Sequence, residues 1–198
     1  MQFWELINRS NFLKDKFKNI EDHFKEIEIN GISNNSKNIK KKFIFFAFTG
    51  NKTNGNLYIN EARKNGATIV ISQEEKGKDV IKLSNKDYFK IYSHLCSSFY
   101  NKKPENIIAV TGTNGKTSVT DFCRQIWSFY GLKSASIGTL GIRETSEQYY
   151  HKIRNNLTTL DSSELNKQLS KLYDKQISYV ALEASSHGIN QNRLDGIS

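Results

Sequence analysis

The residues best placed to do chemistry lie in Asn106–Thr120, NIIAVTGTNGKTSVT. Ile107, Ile108, Ala109 and Val110 form a short apolar run suited to a buried parallel strand. Gly112 and Gly115 interrupt it, and from Thr117 onward Val119, Phe122, Cys123, Ile126 and Trp127 recur at helical spacing along one side. Strand, glycine loop and helix are the parts of a phosphate-binding loop. Glycines let successive N–H groups converge on one anion, and a helix N-terminus adds about half a positive charge there. Lys116 supplies a full charge for outer phosphates, and the Thr117 hydroxyl is a ligand for the Mg²⁺ that accompanies them. The candidate binding residues are therefore Gly112, Thr113, Asn114, Gly115, Lys116, Thr117 and Ser118. The pattern G-x-x-x-x-G-K-[ST] fails at one place, because Val110 stands where its first glycine would be. A plain Gly/Asn turn with a solvated Lys116 is the competing reading.

A second candidate follows the apolar run Ile177–Leu182. Glu183 is the first charged residue after it and so projects toward the same edge as Lys116 if both strands are parallel. A carboxylate there can hold Mg²⁺ together with Thr117; a solvated strand end is the alternative. His187, in the hydroxyl- and amide-rich stretch after it, is open as an acid–base group, a second metal ligand or a structural loop residue. Thr158-Thr159-Leu160-Asp161 reads equally as a pair of binding hydroxyls or a helix-capping turn.

These groups need positioning elements. The first half reads as one or two short helices over residues 3–20, a strand around Gly31, a strong strand at Phe43–Phe48, and a turn at Asn54-Gly55. A helix over Leu57–Asn65 stopped by Gly66, strands at Thr68–Ser72 and Val80–Leu83, and a helix over Lys86–Tyr100 follow. Asn101–Glu105, with the chain's single proline, marks a domain boundary, giving domains of 1–103 and 104–198. In the second half the glycine-loop helix stops at Gly131, Ser134–Gly138 is a strand and Gly138 and Gly141 mark a turn. Gln148–Arg154 reads as extended, and Ser162 or Ser163 caps a helix to about Lys175. Alternating strands and helices predict a doubly wound α/β sheet, with ligands beyond the carboxyl ends of the strands.

Composition narrows the class. The 198 residues carry a formal charge of +9, mostly from lysine, with 37% hydrophobic and 12% aromatic residues, which is a globular composition. The charge reads as compositional drift toward Lys, Asn and Ile or as attraction to an anionic partner. Lys40–Lys42 is the one tight basic run, and no arginine–aromatic alternation offers a stacking platform for nucleic acid. Cys96 and Cys123 lie on apolar helical stripes with no metal spacing and read as buried free thiols. With no signal-peptide core or membrane-length apolar run, a cytoplasmic protein without membrane insertion is expected.

Taken in order, the motifs resemble the Mur ligases, ATP-dependent enzymes that extend the peptide of the cell-wall precursor, and most of all the member adding the third residue. VTGTNGKTS resembles the family's ATP loop, IGTLG at Ile137–Gly141 its next strand and turn, TTLD at Thr158–Asp161 its TTPD, and LEASSHGINQNRLDGI its EVSSH-x5-R region. Asn35-Ser36-Lys37 stands where the family has Asp-Ser-Arg, and KFIFFAFTG resembles GDLFVA-x-x-G. Lys42 and Leu160 depart from that pattern, replacing Asp and Pro.

The resemblance implies a small N-terminal α/β UDP-binding domain followed by the first part of a P-loop-type doubly wound ATPase domain, with a C-terminal domain lying beyond this chain. It implies a fragment of an ADP-forming ligase that joins a diamino acid to UDP-MurNAc-L-Ala-D-Glu through an acyl phosphate, with ATP and Mg²⁺ as cofactors and negligible turnover alone. By the same resemblance Lys116, Glu183 and His187 take catalytic roles, with Thr117 and Glu183 on the metal. Thr158, Thr159, Ser185, Gln191 and Arg193 grip the muramoyl peptide, and Ser36, Asn51, Lys52 and Thr53 hold the UDP end. UDP-MurNAc-dipeptide and a diamino acid are the implied partners of a monomer, with no nucleic acid. A different ligase of the superfamily, such as a folylpolyglutamate-type enzyme, and a non-catalytic binding module are the alternatives.

Overall fold

A computed structural model describes residues 1–49, 54–83, 86–145 and 158–197. Asn51, Lys52, Thr53 and the Gln148–Arg154 segment lie outside the described residues. Two compact units divide the chain, Met1–Phe99 and Tyr100–Ser198.

In the first unit, β1 (Gly31–Ser33), β2 (Phe43–Ala47), β3 (Ala67–Ser72) and β4 (Val80–Lys82) form a parallel sheet in that order. The continuous apolar run FIFFA is what a strand covered on both faces requires. Ile44 and Phe46 join one cluster with Ile69 and Ile71, under α1 (Phe3–Asn8), α2 (Asn11–Lys16), α3 (Asp22–Lys25) and α5 (Tyr88–Phe99). Phe45, Ala47 and Val70 face the other way, against Ile59 and Ala62 of α4 (Ile59–Lys64). The segment expected as one helix over Leu57–Asn65 begins as a 3₁₀ turn, Gly55–Tyr58, where the Asn54 side chain accepts from Asn56 N–H. Gly66 ends α4 at φ +106°, as expected. Tyr88 fixes α5 to the sheet by donating to the Ile71 carbonyl at 2.5 Å and reaching the Ala47 carbonyl at 3.3 Å.

In the second unit the sheet order is β5 (Asn106–Val110), β8 (Tyr179–Glu183), β6 (Ser134–Gly138), β7 (Gly141–Glu144). The first three strands run parallel, and β7 returns antiparallel from the Gly138–Gly141 turn. The sequence reading gave that turn but no strand after it. Helix α7 (Ser162–Asp174) covers one face, packing Leu165, Leu169 and Leu172 on Val180, Leu182 and Ile137. Helix α6 (Lys116–Phe129) packs on β8 and β6, with the Trp127 ring 5.4 Å from that of Tyr179. An ion pair on β7 ties down each helix. Arg143 meets Asp121 of α6 at 2.7 Å, and Glu144 accepts from Lys175, just past α7, at 2.7 Å.

Three expectations about this unit need correction. The run Ile107–Val110 is the parallel strand expected but not a buried one: β5 is the edge of the described sheet, and Ile108 is 37% exposed. The apolar side of α6 is likewise open, with Val119, Phe122 and Ile126 exposed and Thr120 the helix's buried residue. Among the described residues of this unit no strand pairs with the outer side of β5. Cys123 is accordingly half-buried, whereas Cys96 on α5 is buried; neither forms a disulfide. Finally, Asp161 rather than Ser162 or Ser163 caps α7, its carboxylate accepting from Ser163 N–H at 3.0 Å.

Candidate functional site

The site grows from the ends of two neighbouring strands. Val110, the last residue of β5, pairs with Glu183, the last of β8, and Ala184 N–H donates to the Val110 carbonyl at 2.8 Å. The chain leaves β5 at that point through Thr111–Gly115 and enters α6 at Lys116. Gly112 (φ +152°) and Gly115 (φ +79°) turn it through backbone conformations open to glycine, and a Cβ on Gly115 would meet nothing within 4 Å. Thr111 through Gly115 are exposed, so no packed side chain closes the loop. Gly115 occupies the N-cap position without a side-chain acceptor, leaving the first N–H groups of a 14-residue helix for an anion. Lys116 folds back over the loop, its ammonium donating to the Gly112 carbonyl at 2.6 Å and reaching that of Thr113 at 3.4 Å. Thr117 is half-buried and Ser118 exposed in the first turn.

Glu183 faces the same side of the sheet as α6. Tyr179 of β8 touches Trp127 of α6, and side chains two residues apart share a face, so Ala181 and Glu183 follow it. The carboxylate is 3% exposed and bound at both oxygens: Thr139 N–H donates to Oε1 at 2.9 Å and the Thr139 hydroxyl to Oε2 at 3.0 Å. Gly138 makes room, since a Cβ there would stand 2.1 Å from Oε1. Composition and periodicity gave no sign of Thr139; the signal was its place directly after a strand that ends in glycine.

The 158–193 segment wraps the same edge. Thr158 is half-buried with its hydroxyl 3.3 Å from that of Thr139. Thr159 is buried, and its hydroxyl donates to the Glu183 carbonyl at 3.0 Å and accepts from Ser185 N–H at 2.8 Å. Ser185 caps α8 (Ser186–Asn190), its hydroxyl accepting from Gly188 N–H at 3.1 Å. His187 is exposed on that helix, where the sequence reading had a loop. Arg193 donates to the Thr159 carbonyl at 2.7 Å and through Nη2 to Gln191 Oε1 at 2.7 Å. Thr158, Thr159, Ser185, Gln191 and Arg193 thus form one hydrogen-bonded neighbourhood with Glu183. Ser36 belongs to the first unit, where its buried hydroxyl donates to Glu61 Oε2 at 2.6 Å.

The residues present suit one kind of metal. Among the described residues no cluster of three or more His, Cys, Asp or Glu side chains could hold an ion by itself. Mg²⁺ bound through phosphates needs only one or two protein oxygens, and the Glu183 carboxylate and Thr117 hydroxyl are hard oxygen donors of that sort. Thr139 uses two of the roughly four acceptor positions of the carboxylate.

Residues 28–110 match the model for the Mur ligase family catalytic domain, and residues 110–198 that for the Mur ligase middle domain. The chain belongs to the Mur ligase family. Two curated relatives are named UDP-N-acetylmuramoyl-L-alanyl-D-glutamate–2,6-diaminopimelate ligase. The Brucella melitensis protein is 40% identical over 179 residues, covering 87% of this chain and 35% of its own length. The Rhizobium meliloti protein is 41% identical over 175 residues, covering 86% and 35%. This Mur ligase chain therefore spans about a third of the length of the curated relatives it matches. A solved structure of a ligase with that same name superposes with a TM-score of 0.73 at 30% identity, covering 89% of this chain and 36% of that one. The MurF ligase of Thermotoga maritima in complex with ADP superposes with a TM-score of 0.54 at 20% identity, a likeness of fold. No helix among the described residues is long and apolar enough to cross a membrane.

Proposed function

We propose that the Thr111–Thr117 turn binds the phosphates of ATP, and that the second unit carries the nucleotide site of an ADP-forming ligase. The reaction joins a diamino acid to the terminal carboxylate of UDP-MurNAc-L-Ala-D-Glu. 2,6-Diaminopimelate is the amine we assign, because the matched relatives carry it in their names. The observation that carries the reading is the pairing of Val110 with Glu183, which sets a buried carboxylate beside an open glycine loop at a helix N-terminus.

The chemistry asks little covalent work of the protein. The γ-phosphoryl group moves from ATP to the precursor carboxylate, giving ADP and an acyl phosphate. The amine then attacks the acyl carbon, loses a proton and expels phosphate. Positioning and charge stabilisation supply the rate. Backbone N–H groups of residues 112–116 would receive phosphate oxygens, and the Lys116 ammonium would exchange the Gly112 carbonyl for the β- and γ-phosphates. Thr117 and Glu183 would hold Mg²⁺, which neutralises charge on the phosphates when bound. Thr158 and Arg193 lie in the Glu183 neighbourhood and suit the muramoyl peptide; a guanidinium fork matches a carboxylate at two points. Ser36, with Asn51, Lys52 and Thr53, is assigned to the UDP end.

Calorimetric titration with ATP in Mg²⁺, and separately with UDP-MurNAc-L-Ala-D-Glu, tests the reading. Saturable binding of ATP that Lys116→Ala weakens about tenfold or more, a loss of about 1.4 kcal/mol, supports it. A folded chain giving no heat with either ligand would overturn it.

A further inference from the structure

Thr139 sits where no residue of the proposed chemistry has yet been placed, on the exposed turn after β6 and against the one buried carboxylate of the site. Both of its hydrogen-bond donors are directed at Glu183, the backbone N–H to Oε1 and the hydroxyl to Oε2. A carboxylate held at both oxygens is fixed in rotation as well as in place. The residue before it contributes by what it lacks: a methyl on Gly138 would stand 2.1 Å from Oε1 and 2.4 Å from Cδ of Glu183. Gly138 and Thr139 together make a cradle for the Glu183 carboxylate, one by the space it leaves and the other by two hydrogen bonds.

The proton inventory extends the network one step further. The carboxylate only accepts, so the Thr139 hydroxyl spends its single proton on Oε2. The Thr158 hydroxyl lies 3.3 Å away as an alternative acceptor for that same proton. Thr158 opens the segment that reaches Asp161 and α7, so the orientation of Glu183 is tied to a stretch assigned above to the precursor.

We propose that Thr139 is a positioning residue: its N–H and hydroxyl, with the space left by Gly138, hold Glu183 oriented for the Mg²⁺ that accompanies the nucleotide. The proposal rests on the nucleotide-site reading given above and adds to it the group that orients the metal's carboxylate. Partners that orient metal-binding carboxylates act on metal affinity through the ligand they hold, typically by about 10- to 100-fold.

The test is ADP affinity of the 198-residue chain measured calorimetrically in Mg²⁺ and again in EDTA, for the unmodified chain, Thr139→Val, Thr139→Ser and Gly138→Ala. Val keeps the β-branched shape and the backbone N–H but removes the hydroxyl. The expected result is that Mg²⁺ strengthens ADP binding to the unmodified chain, and that Thr139→Val loses about tenfold of that enhancement with EDTA affinity unchanged. Thr139→Ser restores it, and Gly138→Ala loses it as Val does. Manganese titration of the ADP complex, followed by electron paramagnetic resonance, reads the same loss directly. A Thr139→Val chain with the full Mg²⁺ enhancement would overturn the positioning role and leave the nucleotide site standing. Equal losses in Mg²⁺ and EDTA would also overturn it, since a merely structural role moves both. An unmodified chain that binds ADP without regard to Mg²⁺ would overturn the metal assignment of Glu183 and the role of Thr139 with it.

Discussion

Val110 and Glu183 end adjacent parallel strands in register, and the Val110 carbonyl accepts from the residue that follows Glu183. That pairing puts the glycine loop, which starts at the next residue after Val110, beside a carboxylate on the face covered by α6.

The loop's stability cost is conformational rather than steric. Gly115 sits at φ +79° with open space where a Cβ would go. Gly115→Ala should therefore destabilise the chain by about 1–2 kcal/mol, the strain of a left-handed residue bearing a side chain. Gly115→Asn should cost less, because asparagine tolerates that region. Urea denaturation with an unchanged m-value checks both.

Helix α7 should depend on Asp161 rather than on the serines after it. The Asp161 carboxylate accepts from Ser163 N–H at 3.0 Å. Asp161→Ala should lose about 1 kcal/mol of stability, and Ser163→Ala clearly less, when both are measured by the same denaturation.

Acid should loosen α6 from β7 through Asp121. Burial pushes its carboxyl upward, but hydrogen bonds from Arg124 and Gln125 and the charges of Arg124 and Arg143 outweigh it and hold the group below its ordinary 3.8. A carboxyl depressed in the folded state adds stability that is full above its unfolded value and is lost as pH falls through the folded one. The Asp121 contribution should hence be present at neutral pH and fade below about pH 4. Asp121→Asn should lower the melting temperature at pH 7 and flatten its decline between about pH 4 and 2. A variant whose acid profile parallels the unmodified chain would contradict this.

Sequence patterns alone carried much of this, but unevenly. The strand–loop–helix at 106–129 and the strand before Glu183 were legible because apolar period and glycine positions are local signals. The burial of β5 and of the Val119–Phe122–Ile126 stripe was misjudged, since a strand's place in a sheet depends on long-range pairing that periodicity does not record. β7 was missed because four residues, GIRE, carry too little alternation to stand out from the turn. The cap of α7 was displaced by one or two residues in a run of three good capping types, Asp161, Ser162 and Ser163, where the backbone decides among them. Thr139 was illegible for another reason: an exposed threonine is ordinary until the carboxylate it holds is located in space.

The central claim is that the 112–117 turn and Glu183 share one metal–nucleotide complex. Amide NMR of the isotope-labelled chain with ADP, titrated with Mn²⁺ in place of Mg²⁺, tests it most directly. The expected result is paramagnetic broadening that appears first at Gly112–Thr117, Thr139 and Glu183 and disappears in Lys116→Ala. Broadening centred elsewhere, or affecting the loop while sparing Glu183, would contradict it.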